Sequence, residues 1–235
     1  MKAISSKTTR GLNIGSLLEA CDNSGARIVK IVSIKEKLLD VVENFDIVNW
    51  RLGQEKFEDG PYEAVIIEGT PITKDEIELL KELREKSKMI IALGACASIA
   101  GIPGMMDKEK REYWYKKIYG EKYKPKGIDA LPLSSYVTVD HMIHGCPIDE
   151  DELVRTLEEI IAGKKPSYRD YSVCFECKQN QNECLLFKEK ICFGSITQGR
   201  RKAVCISGGN LCYGCFGKRE DARNTIGLRY RQIFT

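Results

Sequence analysis

Seven of the ten cysteines in this sequence fall between Cys174 and Cys215. Sulfur at that density is a local chemical device. A disulfide framework consumes thiols in pairs and seven leaves one over, and in a reducing compartment clustered cysteines more often bind metal. The order is Cys174-x2-Cys177-x6-Cys184-x7-Cys192, then Cys205-x6-Cys212-x2-Cys215. The two Cys-x-x-Cys pairs alone would make a four-sulfur tetrahedral zinc site, but that leaves Cys184, Cys192 and Cys205 without a role. Iron–sulfur clusters take four thiolates each and tolerate mixed spacing, so four ligands followed by three fit two clusters better. Zinc also accepts thiolate and stays open as the alternative.

Two further cysteines, Cys96 and Cys146, stand apart, and their meaning depends on the elements around them. IVKIVSI (28–34) has the β-branched run of a first strand and KEKLLDVVENF the apolar spacing of a helix. DIVNWRL (46–52), YEAVIIEG (62–69), MIIALGACAS (89–98) and SSYVTVD (134–140) read as further strands. Between them, Thr73 can cap a helix striped by Ile77, Leu79, Leu80 and Leu83. After Pro147, which suits the start of a helix, Leu153, Leu157 and Ile160 make a second stripe that Gly163 and Pro166 end. Strand alternating with helix predicts an α/β fold with a parallel sheet, in which chemistry gathers at the strand C-terminal ends. Cys96 falls at such an end, and Cys146 falls just before a helix.

The composition fits a globular protein: 235 residues, 43% hydrophobic, 30% charged, with a net charge of +3 too mild to imply nucleic acid. No apolar run reaches the roughly 18 residues of a membrane span, and the N-terminus lacks a secretory signal, so a cytoplasmic protein is expected. Residues 101–127 are rich in Lys and aromatics, including Tyr113, Trp114 and Tyr115. A surface insertion packing its aromatics on a partner is preferred there over stacking on nucleic acid, and no site is placed in it. No Gly-rich phosphate loop follows the first strand, which sets a flavin- or dinucleotide-binding protein aside. Beyond Pro166 regular periodicity fades, and a tail this small would need bound metal for part of its stability.

The sequence resembles the small, electron-transfer subunits of nickel–iron hydrogenases, and among them the delta subunits of cytosolic archaeal sulfhydrogenases. The resemblance is carried by EKLLDVVENFDIV (36–48), VIIEG (65–69), LGACAS (93–98), HGCPIDEDEL (144–153), CFECKQNQNECLL, ICFGSITQG and LCYGCFG. It implies a flavodoxin-like parallel-sheet domain over 36–168 holding a proximal four-iron cluster, and a small irregular iron–sulfur domain over 169–235. It also implies medial and distal clusters in the second domain. Partners would be a nickel–iron large subunit and flavin- and iron–sulfur-containing reductase subunits, with no membrane.

Carried over by position, Cys174, Cys177, Cys184 and Cys192 match the distal ligands. Cys205, Cys212 and Cys215 match three medial ligands, and Arg201 stands where related subunits have the fourth cysteine. Three thiolates imply a three-iron cluster or a four-iron cluster with a non-protein ligand. A cation at Arg201 would raise its reduction potential by stabilising the more negative reduced state. Arg200 or Arg201 could equally be a solvated surface charge. Cys96 and Cys146 match two proximal ligands, while the expected N-terminal Cys-x-x-Cys is missing and Cys21 is the one thiol nearby. As lone cysteines, both could also be small buried residues. Glu68 reads either as a proton-handling group near that site or as a strand-end residue that ion-pairs at a subunit interface.

Residues 1–35, with CDNSGAR, resemble the start of an archaeal large-subunit ribosomal protein of small β-barrel fold. That segment is too short to rebuild a barrel, so RNA binding is not transferred. A fusion that removed the first strand and its cluster loop is expected, with IVKIVSI as substitute strand. The competing function is a non-enzymatic zinc-binding or degenerate fusion protein docking on RNA or protein.

Overall fold

A computed structural model describes residues 11–16, 46–49, 60–105, 108–123 and 127–222. The chain divides into two compact units, residues 1–166 and 167–235.

The first unit is a five-stranded, all-parallel sheet of β1 (Gly11–Ser16), β2 (Asp46–Asn49), β3 (Tyr62–Glu68), β4 (Ser87–Leu93) and β5 (His141–Ile143). Its spatial order is β2-β1-β3-β4-β5. This is the flavodoxin-like doubly wound order, whose connections reverse direction between β1 and β3. On β3 and β4 the side chains alternate as a pleat requires. Ala64, Ile66, Ile91 and Leu93 face Leu153 and Leu157, whereas Val65, Ile67, Ile90 and Ala92 face Leu80 and Leu83. Both faces are therefore covered, which is why these strands read as continuous apolar runs.

The covering helices are α1 (Lys74–Lys86) and, later in the chain, the helix over Glu150–Ile161. Thr73 closes a capping box: its hydroxyl accepts from the Glu76 N–H at 3.3 Å, and the Glu76 carboxylate accepts from the Thr73 N–H at 2.9 Å. Thr73→Ala should cost about 1 kcal/mol, read as a lower denaturation midpoint at constant slope; an unchanged midpoint would show that the cap does not hold this helix.

Several expectations shift. Among the described residues the first strand is Gly11–Ser16, a segment not expected to be one. GLNIGS carries two glycines and an asparagine, poor strand formers, so only the Leu12/Ile14 alternation marked it. IVKIVSI and the helix expected after it lie outside the described residues, as do residues 50–52 of DIVNWRL. The strand expected over 89–98 ends at Leu93, and α2 (Gly94–Ile99) follows at once. SSYVTVD forms a short 3-10 turn and irregular backbone, and β5 starts only at His141. There the Asp140 carboxylate accepts from the Ile90 N–H at 2.7 Å and binds Arg84 at 2.5 Å, so a side chain replaces the sheet ladder. Pro147 does not begin a helix. Asp149 caps it instead, accepting from the Glu152 N–H at 3.1 Å.

The basic insertion forms α3 (Lys108–Tyr119). Its aromatics stack on one another, with Tyr119 and Tyr123 centroids 4.9 Å apart and Lys117 lying 4.8 Å over the Trp114 ring. The helix over Glu150–Ile161 becomes α4. In the second unit only α5 (Val173–Gln179) and α6 (Val204–Ser207) are α-helical among the described residues, joined by 3-10 turns. Val173, Ala203 and Ile206 share its core with Cys192 and Cys212, against which Cys177 packs.

Candidate metal centres

At the C-terminal edge of the sheet, register aligns Ser16, Glu68, Leu93 and Ile143 in one row. The segments leaving that row carry the first candidate ligands. Cys96 lies in α2 and is 2% exposed; Cys146 lies half-buried in the loop after β5. Two bonds tie these segments: the Ala95 N–H donates to the Gly145 carbonyl at 2.8 Å, and His144 Nδ1 meets the Ser98 hydroxyl at 2.7 Å. Gly101, with φ of +47°, lies against Cys96, and a Cβ there would come within 3.1 Å of the Cys96 sulfur. Only glycine suits both that backbone and that space. Glu68, 4% exposed, sits at the same edge. Among the described residues this edge offers two thiols; Cys21 lies outside them.

The C-terminal thiols form a denser group. A Cβ on Gly194 would lie 3.3 Å from the Cys174 sulfur and 3.6 Å from that of Cys192, so both thiols border the space that glycine leaves open. Burial, with Cys192, Cys177, Cys184 and Cys212 around it, pushes the Cys174 thiol up to about 11. Burial also raises Cys177, against a lowering hydrogen bond from Asn182, with Cys192 and Cys184 close by. The Cys212 thiol is raised by burial, with Cys192 and Cys215 adjacent; its sulfur lies 3.7 Å from the Thr197 hydroxyl. These are protonated thiols in a soft, apolar setting, and a metal that binds them must displace their protons, so loading is favoured as pH rises. None of the nine cysteines among the described residues is joined in a disulfide.

Cys177, Cys184, Cys192 and Cys212 lie within electrostatic reach of Cys174, and Cys192 and Cys215 within reach of Cys212. Among the described residues, no three His, Cys, Asp or Glu side chains converge on a single ion.

Arg200 is 8% exposed, its guanidinium 5.8 Å from the Tyr168 ring centroid, so it is not a solvated surface charge. Arg201 is half-buried with its guanidinium 5.9 Å from the ring centroid of Phe216, the residue after Cys215. The side chain at position 201 therefore shares the neighbourhood of Cys215. Sequence reasoning missed Gly194, His144, Ser98 and the Glu176–Asn180–Asn182 group. The only signal for the last was a polar triplet amid the cysteines.

With this geometry in hand, comparison with known proteins is informative. Residues 24–160 match the family described as NADH ubiquinone oxidoreductase, 20 Kd subunit. Sulfhydrogenase 2 subunit delta of Pyrococcus furiosus is 35% identical over 84% of this chain and 83% of its own length. The chain belongs to this family. It is thus an oxidoreductase-type subunit, kin to hydrogenase subunits. The family match begins inside the segment read as ribosomal-like. Another relative, a vhu subunit of the F420-non-reducing hydrogenase of Methanococcus voltae, is 28% identical over 87% of this chain and 82% of its own length. Among solved structures, the actinobacterial-type NiFe-hydrogenase from Ralstonia eutropha H16 shares the fold, with a TM-score of 0.61 at 14% identity, covering 96% of this chain and 89% of that one. No helix among the described residues is long and apolar enough to cross a membrane.

Proposed function

We propose that this chain is the electron-transfer small subunit of a cytoplasmic nickel–iron hydrogenase of the sulfhydrogenase type. In this reading it connects a nickel–iron large subunit to flavin- and iron–sulfur-containing reductase subunits. The observation that carries it is the buried thiol group around Gly194, on a chain of a hydrogenase-subunit family. Iron–sulfur clusters, when bound, supply one-electron relay.

The chain's own residues do the rest. Cys174, Cys177, Cys184 and Cys192 would hold the distal cluster, and Gly194 keeps room for it. Cys205, Cys212 and Cys215 would hold the medial one with three thiolates, beside the cation of Arg201. Cys96 and Cys146 would give the proximal cluster two ligands, fixed relative to each other by the Ala95–Gly145 and His144–Ser98 bonds. Burial keeps water from Cys96, Cys192 and Cys212, and hydrogen bonds such as that from Asn182 to Cys177 favour the anionic thiolate. No residue here needs to make or break a substrate bond.

Anaerobic loading with iron and sulfide should produce a brown protein with thiolate-to-iron charge-transfer absorption that bleaches on reduction. A colourless chain holding one zinc would contradict the proposal and leave the structural-zinc reading.

A further inference from the structure

Lys202 and Ala203 are consecutive non-glycine residues in the left-handed region, with φ of 52° and 49°. In that conformation the Cβ of each crowds its own backbone. A pair persists only where its surroundings hold it. Here the single peptide group that joins them is gripped at both ends by side chains of α5 and its C-terminal cap: the Glu176 Oε2 accepts from the Ala203 N–H at 3.1 Å, and the Asn180 Nδ2 donates to the Lys202 carbonyl at 2.5 Å. Glu176 is 6% exposed and lies between Cys174 and Cys177. The strained pair opens directly into α6, which begins at Val204 and carries Cys205, and the Asn182 Nδ2 donates to the Ser207 hydroxyl at 2.9 Å on that same turn.

A carboxylate placed between two candidate ligands of one set is therefore spent on the backbone that presents the next set. Its charge is met by a backbone N–H, so a neutral acceptor in the same place would serve the geometry. We infer that Glu176 is a positioning residue: through the left-handed Lys202–Ala203 turn it sets where Cys205 stands, and so couples occupancy of the Cys205/Cys212/Cys215 set to the helix that carries Cys174 and Cys177. This rests on the iron–sulfur reading above.

The test uses the full chain, loaded anaerobically with iron and sulfide, and reads iron and sulfide per chain with low-temperature spin resonance of oxidised and reduced forms. Glu176→Ala should lose the medial signal and about three or four irons, while Glu176→Gln, which keeps an oxygen acceptor, retains both. Adding Ala203→Gly to Glu176→Ala removes the left-handed penalty and should restore most of the lost iron and signal. If Glu176→Ala sheds all its iron, the same rescue decides: recovery on adding Ala203→Gly supports the inference. Wild-type iron content and spectrum in Glu176→Ala, or a loss that neither the Gln variant nor Ala203→Gly relieves, would overturn it. A wild-type chain that takes up no iron would overturn instead the reading on which it rests.

Discussion

Gly194→Ala should strip the distal cluster while leaving the polypeptide folded. Gly194 does not have a left-handed backbone, so alanine fits its conformation without strain. The added methyl, however, would lie 3.3 Å from the Cys174 sulfur and 3.6 Å from the Cys192 sulfur. The first contact is tighter than ordinary packing, and small-to-large changes in a close-packed site displace their neighbours. Those neighbours are two of the four proposed ligands, beside a core of Val173, Cys192 and Cys212 that leaves little room to retreat. We expect loss of about four irons per chain, with the metal-free unfolding free energy lowered by only about 1 to 3 kcal/mol. Full iron content in the variant would show that the space beside Gly194 does not face a cluster.

The second large effect is a gain. Arg201→Cys places a thiol where the side chain shares the neighbourhood of Phe216 and Cys215. The carbonyl of residue 201 accepts from the Val204 N–H at 3.1 Å, so position 201 opens the turn that delivers Cys205. A fourth thiolate should convert a three-iron signal, seen in the oxidised protein, into a four-iron signal seen on reduction, with about one more iron per chain. The reduction potential should fall. The guanidinium favours the more negative reduced state, and the substitution removes that cation and adds an anion. Unchanged spectra and an unchanged or higher potential would mean that residue 201 is not at the medial site. Arg201→Gln is the companion variant, removing the charge without adding a ligand: it should lower the potential and leave the iron count alone.

Much of this centre was legible in the sequence because both its chemistry and its scaffold leave local marks. Cysteine is a rare residue type, so the candidate set from Cys174 to Cys215 stands out by spacing alone. The strand β3 and the helix α1 could be read from a continuous apolar run and from Thr73 followed by Glu76, signals written within a dozen residues. What escaped was what depends on tertiary contact. The GLNIGS strand has weak intrinsic propensity and exists because Leu12 and Ile14 pair in register with Ala64 and Ile66. SSYVTVD has strong propensity, yet the Asp140 side chain takes the ladder position at Ile90. Cys96 was expected at a strand end because GACAS is small and apolar, and it lies instead in the helix that follows. Gly194 and Glu176 could not be singled out, since their roles consist of distances to residues far along the chain.

The central claim is that the sulfurs of the C-terminal unit hold inorganic iron and sulfide. Its most direct test is the content of iron and acid-labile sulfide per chain in protein purified without oxygen, with spin resonance of the same sample. The account predicts iron and sulfide in near-equal amounts, about seven or eight irons for the distal and medial groups together, with a three-iron signal when oxidised. A chain free of iron, or one whose Cys174–Cys215 thiols are joined to one another as disulfides, would contradict it.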